Sequence, residues 1–194
     1  TCWWNYYINR HSKTLWCQTM SNLRLINETE ITSGVATVNI TDVFSADFDI
    51  YKITTSGFTT VSTTSTDLDG RFINSSGSVI SSSSYDNAHL NLKAETSFSE
   101  TRQVGVNIIS SIFGSGDDSP EGGGTVSYIF NPFSNSSYTF GLFQVSSNLS
   151  GVHRSRKGIT VLKSTASITG FRIVGVQANV DEGIVRTYGL RVDS

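Results

Sequence analysis

The chain has 194 residues, of which 37% are hydrophobic, 11% aromatic and only 15% charged. That length supports a domain with a real core, and the aromatic content is too high for a disordered chain. A formal net charge of −2 gives no global attraction to nucleic acid or to an anionic membrane, and no apolar run approaches the roughly 20 residues of a membrane-spanning helix.

Residues 1–19 differ from the rest. They hold all three tryptophans (Trp3, Trp4, Trp16) and both cysteines, Cys2 and Cys17. The segment lacks the uninterrupted apolar centre and small-residue cleavage site of a secretory signal. The only methionine is Met20, and MSNLRLINETEITSG after it reads as an ordinary protein beginning. Two readings stand. Residues 1–19 are a short aromatic arm that docks on a neighbour, or they are a non-native extension ahead of a natural start at Met20, which the context of Met20 slightly favours. The main body has no cysteine, so its stability does not depend on internal disulfides, which fits a reducing cytosol. Spacing alone leaves a Cys2–Cys17 bridge open.

Strand signals begin at Val35–Thr41, where Ala36, Val38 and Ile40 share a face. Asp47–Thr54 and Phe58–Thr63 follow as two further strands. Asp67-Leu68-Asp69-Gly70 supplies turn residues. Arg71–Asn74 and Val79–Ile80 are short, with a serine-rich turn between them, and Ser81–Ser84 reads as a loop. In Asn87–Phe98 the residues Ala88, Leu90, Leu92, Ala94 and Phe98 fall on one face and His89, Asn91, Lys93 and Glu95 on the other. That alternation predicts a half-buried strand with the alanine–leucine face inward. Gln103–Ile112 alternates in the same way.

GSGDDSPEGGG, Gly114–Gly124, is the strongest loop signal and reads as an exposed tip. Thr125–Asn131 and Ser137–Val145 predict a hairpin. In the second of these, Tyr138, Phe140 and Leu142 lie on one face and Phe143 and Val145 on the other. Apolar residues on both faces mark a central strand buried on both sides or an edge used in assembly. Ile159–Lys163 leads to two closing strands, Ile168–Val176 and Gly183–Val192, read as an antiparallel pair.

About ten strands, no amphipathic helix and turn signals at roughly 8–12 residue spacing predict an all-β fold. The economical architecture is a two-sheet antiparallel β-sandwich over residues 20–194, for which a jelly roll is one suitable topology.

The chemistry-bearing residues are sparse. His11, His89 and His153 are isolated and have no metal-ligand spacing; His89 reads as a solvated residue on a polar strand face. Asp67-Leu68-Asp69-Gly70 echoes the start of a calcium loop but lacks its later ligands, so a turn is the better reading. Asp117, Asp118 and Glu121 form a mutually repelling, solvated loop. His153-Arg154-Ser155-Arg156-Lys157 is the only basic cluster. It reads as a charged loop before a strand, with Arg154, Arg156 and Lys157 as the candidate partner contacts. No aromatic residues are interleaved with it, as a single-strand nucleic-acid surface would need. There is no G-x-S-x-G elbow, no nucleophile with evident His and Asp partners, and no phosphate loop. No cofactor is expected, and the reading is non-enzymatic.

The C-terminal segment Ser167-Ile168-Thr169-Gly170-Phe171, then Asn179, then Gly183-Ile184-Val185-Arg186-Thr187-Tyr188-Gly189-Leu190, resembles the ending of many tailed-phage virion proteins. Those close on an apolar strand, a Gly/Asn-rich turn and a G-[TI]-x-x-x-Y-G-[LI] strand that completes a β-sandwich. The section NPFSNSSYTFGLFQ and the start MSNLRLINETEI are similar in style to phage structural proteins. The resemblance covers about 25 residues. It implies a structural protein of the virion, made in the host cytoplasm, of capsid-decoration, head-fibre or tail-accessory type. The implied partners are other capsid or tail proteins, in a homo-oligomer such as a trimer. The alternative is a carbohydrate- or receptor-binding sandwich on a fibre tip, with Tyr85, Asp86 and Asn87 as its ligand loop and a host glycan as its partner.

Overall fold

The computed structural model describes residues 22–61, 68–95, 98–116, 119–149 and 151–191. Residues 1–19 and Met20, with the expected arm, its cysteines and His11, lie outside that set, as do Asp67, Asp117 and Asp118.

Twelve strands form among the described residues. They are β1 (Leu23–Ile31), β2 (Thr37–Ile40), β3 (Ile50–Thr60), β4 (Leu68–Asn74), β5 (Tyr85–Lys93), β6 (Ser99–Val106), β7 (Ile109–Phe113), β8 (Gly123–Phe130), β9 (Thr139–Leu149), β10 (Val152–Leu162), β11 (Ile168–Val174) and β12 (Val180–Leu190). The one helical element described is a 3-10 turn at Ser119–Glu121. β3, β8, β11 and β12 are rich in β-branched and aromatic residues, which suit a pleated, half-buried surface.

Two antiparallel sheets result. The large sheet has the order β1-β12-β3-β8-β9-β10-β5-β6, and the small sheet β2-β11-β4-β7. The pairing is nested: β1 with β12, β2 with β11, β3 with β8 and β4 with β7. Between those pairs the chain alternates sheets, so a long hairpin has been rolled into a sandwich. This is the jelly roll. Two hairpins interrupt the roll without changing it. β5–β6 and β9–β10 both join the large sheet and widen it from four strands to eight.

The core lies between the sheets. An aromatic chain crosses it: Phe113 and Phe44 stack on either side of Phe171, at 6.1 and 6.0 Å, and Phe44 meets the edge of Tyr51 at 4.8 Å. Ile53, Phe58, Leu68, Phe72, Ile173 and Val185 fill around it. Tyr51 reaches a polar end point, because its hydroxyl donates to Ser45 O and accepts from Ser45 N. Gly183, at φ +144°, lets β12 pass over Phe58, where any Cβ would overlap the ring.

Several expectations change. Ile168–Val176 and Gly183–Val192 do not pair, because β11 belongs to the small sheet and β12 to the large one. Asp47–Thr54 and Phe58–Thr63 are not two strands. β3 runs continuously through Gly57, whose positive φ absorbs a register shift. Leu68, Asp69 and Gly70 are strand residues, not a turn. GSGDDSPEGGG is not simply an exposed tip: Gly114, Ser115 and Gly116 are buried, and Gly116 forms a parallel bridge to Thr59. Leu23–Ile31, which precedes the first strand signal in the sequence, is the edge strand β1 among the described residues.

Replacing Phe171 by Ala removes the ring that joins Phe44 to Phe113, and should cost about 3–5 kcal/mol of stability. Urea unfolding followed by circular dichroism checks this.

Candidate functional site

Alternation fixes what each strand of the large sheet presents to its two faces. One face meets the small sheet. The other looks away from the core, and it is unexpectedly apolar. Register places three rows of side chains across it. The first reads Leu23, Leu190, Ile50, Phe130, Phe140 and Val161, one residue from each of six adjacent strands, and ends at Asp86. The second reads Leu25, Tyr188, Lys52, Tyr128, Leu142, Ile159, Ala88 and Arg102. The third passes through Arg186, Thr54, Val126, Gln144, Lys157, Leu90 and Glu100.

Phe140, Leu142, Ile159 and Leu90 are 45%, 47%, 56% and 55% exposed. Single exposed apolar residues are ordinary, but neighbours in register on one sheet face are not. Two grooves of about 550 and 500 Å³ lie over this region. Leu90, Tyr128, Leu142 and Ile159 line the first, and Phe130, Phe140 and Val161 the second. Ion pairs border the apolar area: Arg186 with Glu28, Lys163 with Asp86, and Arg102 with Glu100.

Strand β5 is the key. Its sequence predicts Ala88, Leu90 and Leu92 inward and His89 outward. The structure has the reverse. Tyr85, Asn87 and His89 are buried, and Leu90 and Leu92 are exposed. The inward residues are held by polar contacts. Asn87 accepts from Thr160 Oγ1 at 2.7 Å and donates to Ile108 O at 2.9 Å. Asn91 accepts from Arg156 Nε at 2.6 Å. His89 packs against the edge of Phe143 at 6.2 Å, beside Gly158, where a Cβ would overlap both. Burial lowers the His89 pKa below its usual 6.5, so the ring is held neutral.

The expected site residues are separated by the same alternation. His153 to Lys157 is not a loop but the first half of β10. Arg154 and Arg156 share the inward parity of Gly158, Thr160 and Leu162, whereas Lys157 lies exposed on the outer face. Burial pulls the Arg156 pKa down to about 10. The basic cluster therefore does not act as one patch.

Tyr85, Asp86 and Asn87 likewise open a strand, not a loop. Tyr85 is fully buried; its hydroxyl donates to Ile80 O and accepts from Phe72 N, both at 3.0 Å, and burial raises its pKa to about 12. Asp86 alone reaches the outer face, where Gly105 N and Lys163 hold its carboxylate below the usual range. Asp69, from the calcium-like segment, accepts from Ser111 N at 2.7 Å and is raised by burial. Among the described residues no three His, Cys, Asp or Glu side chains converge as metal ligands would.

The outer face escaped sequence reading because period-two alternation does not say which face is inside. Asn87 facing Thr160, and Phe140 facing Phe130, become visible only with the register. Compared with known proteins, the chain matches no family model and no curated sequence.

Two outcomes follow from this geometry. The unfolded chain takes up a proton on His89 near pH 6.5 and the folded chain only at lower pH, so the stability present above that value should fall as pH drops through it. Thermal melting from pH 7.5 to 5.5 should show the loss, and His89→Gln should reduce its slope. Tyr85→Phe should cost about 1–3 kcal/mol, because it strands the buried Phe72 N–H. A ligand-binding tyrosine would leave the denaturation midpoint unmoved.

Proposed function

We propose that the protein is a non-enzymatic structural component of a tailed-phage virion, of capsid-decoration, head-fibre or tail-accessory type, made in the host cytoplasm and incorporated in the particle. The observation that carries the reading is the apolar outer face of the large sheet. A face with Tyr128, Leu142, Ile159 and Leu90 in the open fits a surface that another molecule covers. The ion pairs at its border fit the polar rim of a protein interface.

Two further features support it. The C-terminal resemblance falls on β11 and β12, which stand next to each other in neither sheet but each pair with an N-terminal strand. Jelly rolls serve in viral capsids, in lectins and in cupins, so the topology agrees with the reading by analogy only. In this proposal the partners are neighbouring virion subunits and further copies of the chain, for example in a trimer. The glycan-binding alternative drew its site from Tyr85, Asp86 and Asn87. The strand divides those residues between two faces, which favours the assembly reading.

Gold-labelled antibody on purified particles tests the proposal. Regular labelling over the head supports a decoration role, and labelling confined to the tail or fibres a tail role. Unlabelled particles, with a protein that is monomeric and does not bind particles lacking it, overturn it. A Val126→Glu/Leu90→Glu double variant should melt like the parent and bind particles at least about tenfold more weakly, since two apolar side chains leave the contact.

A further inference from the structure

We infer that the row of apolar side chains that starts at β1 and crosses the outer face to β10 is the docking track for the chain's own N-terminal segment, residues 1–21. The segment is unusual in composition: it carries Trp3, Trp4, Tyr6, Tyr7, Ile8 and Trp16. Side chains of that kind gain most from burial, and an apolar sheet face offers it.

Three observations join the segment to this place. The first is where the chain enters. The segment runs into β1 at Leu23, and Leu23 is itself the first member of the row that continues through Leu190, Ile50, Phe130, Phe140 and Val161. A chain leaving Leu23 toward its N-terminus therefore starts at one end of an unbroken apolar track.

The second is reach. Trp16 precedes Leu23 by seven residues, which allows about 23 Å of extended chain. β9, with Phe140, is four strand spacings from β1, or about 19 Å. Trp16 can thus sit over Phe130 and Phe140 in the same molecule. The groove of about 500 Å³ beside those rings has room for an indole. Trp3 and Trp4 have chain to spare for the far side of the sheet.

The third is charge. Residues 1–21 contain Arg10 and Lys13 and no carboxylate, so all 16 Asp and Glu residues fall in the rest of the chain. Asp86 at the end of the track is already paired with Lys163 at 2.9 Å, so the charge match is between the segment, at +2, and the rest of the chain, with 12 Lys and Arg against 16 Asp and Glu, at −4. A cationic aromatic segment is thus complementary to an apolar track on a net acidic domain.

This gives the aromatic-arm reading of residues 1–19 a surface that the sequence did not reveal. It does not depend on the virion proposal. The third row, with Val126, Lys157 and Leu90, lies farther along the strands and stays open to a partner.

All three tryptophans lie in the segment and none in the domain, so intrinsic tryptophan fluorescence of the full chain reports on the segment alone. The expected emission is well to the blue of free N-acetyltryptophanamide in the same buffer, with weak acrylamide quenching. Phe140→Glu should shift the emission red and raise the quenching constant severalfold toward the free value. Val176→Asp, on an exposed position just beyond β11 of the small sheet and away from the track, should leave both unchanged. Far-UV circular dichroism and melting confirm that both variants are folded; should Phe140→Glu not fold, Val161→Lys takes its place. Solvent-like emission from the unaltered chain overturns the inference. So does blue emission that Phe140→Glu and Val161→Lys leave in place. A red shift on dilution also overturns it, since the track would then hold the segment of a second copy.

Discussion

Phe171 carries the sandwich. It belongs to the small sheet, and Phe44 stacked on it meets Tyr51 of the large one. Everything else in the roll hangs on the sheets being held face to face at that point. The small sheet has only four strands, so it covers only part of an eight-stranded partner. The inner side of β10, β5 and β6 is accordingly finished with polar residues: Arg156 with Asn91, and Asn87 with Thr160. Their hydrogen bonds satisfy groups that would otherwise be costly to bury. Tyr85 and Leu162 still reach the core, whereas Leu90, Leu92 and Ile159 are left for the other side.

That distribution explains the shape of the candidate surface better than composition does. A strand with one apolar face normally turns it inward. In β5 the inward places are taken by Tyr85, Asn87 and His89, each matched to a neighbour across the register, and Leu90 and Leu92 follow by alternation to the outside. A one-residue slip would reverse this, placing the leucines inside and stranding Asn87 away from Thr160. The buried hydrogen bonds thus specify a register that hydrophobicity alone would not choose.

The all-β class, the sandwich and most strand positions were legible in the sequence, because Val35–Thr41 or Gly183–Val192 write their alternation plainly. Strand β10 was half hidden, since His153-Arg154-Ser155-Arg156-Lys157 has the composition of a loop and becomes a strand only by pairing with β9 and β5. β1 was hidden for the same reason, its alternation broken by a bulge at Ile26. The supposed ligand set Tyr85, Asp86 and Asn87 misled because adjacency in sequence is opposition in a strand. Strand order is non-local information, and nothing within Ile168–Leu190 says that its two apolar runs go to different sheets.

The nesting of strands also sets a timetable for the growing chain. Among the described residues β1 is an edge strand whose neighbour is β12, the last of the twelve strands to leave the ribosome. Until then β1 has no ladder to join, and the side of β3 that will receive β12 is an unpaired row of backbone donors and acceptors. A ribosome stalled before Val180 would expose a slot one strand wide, open to any extended segment in the cell. The sandwich is thus most adhesive in the moments before β12 emerges, and that strand is the piece that ends the exposure.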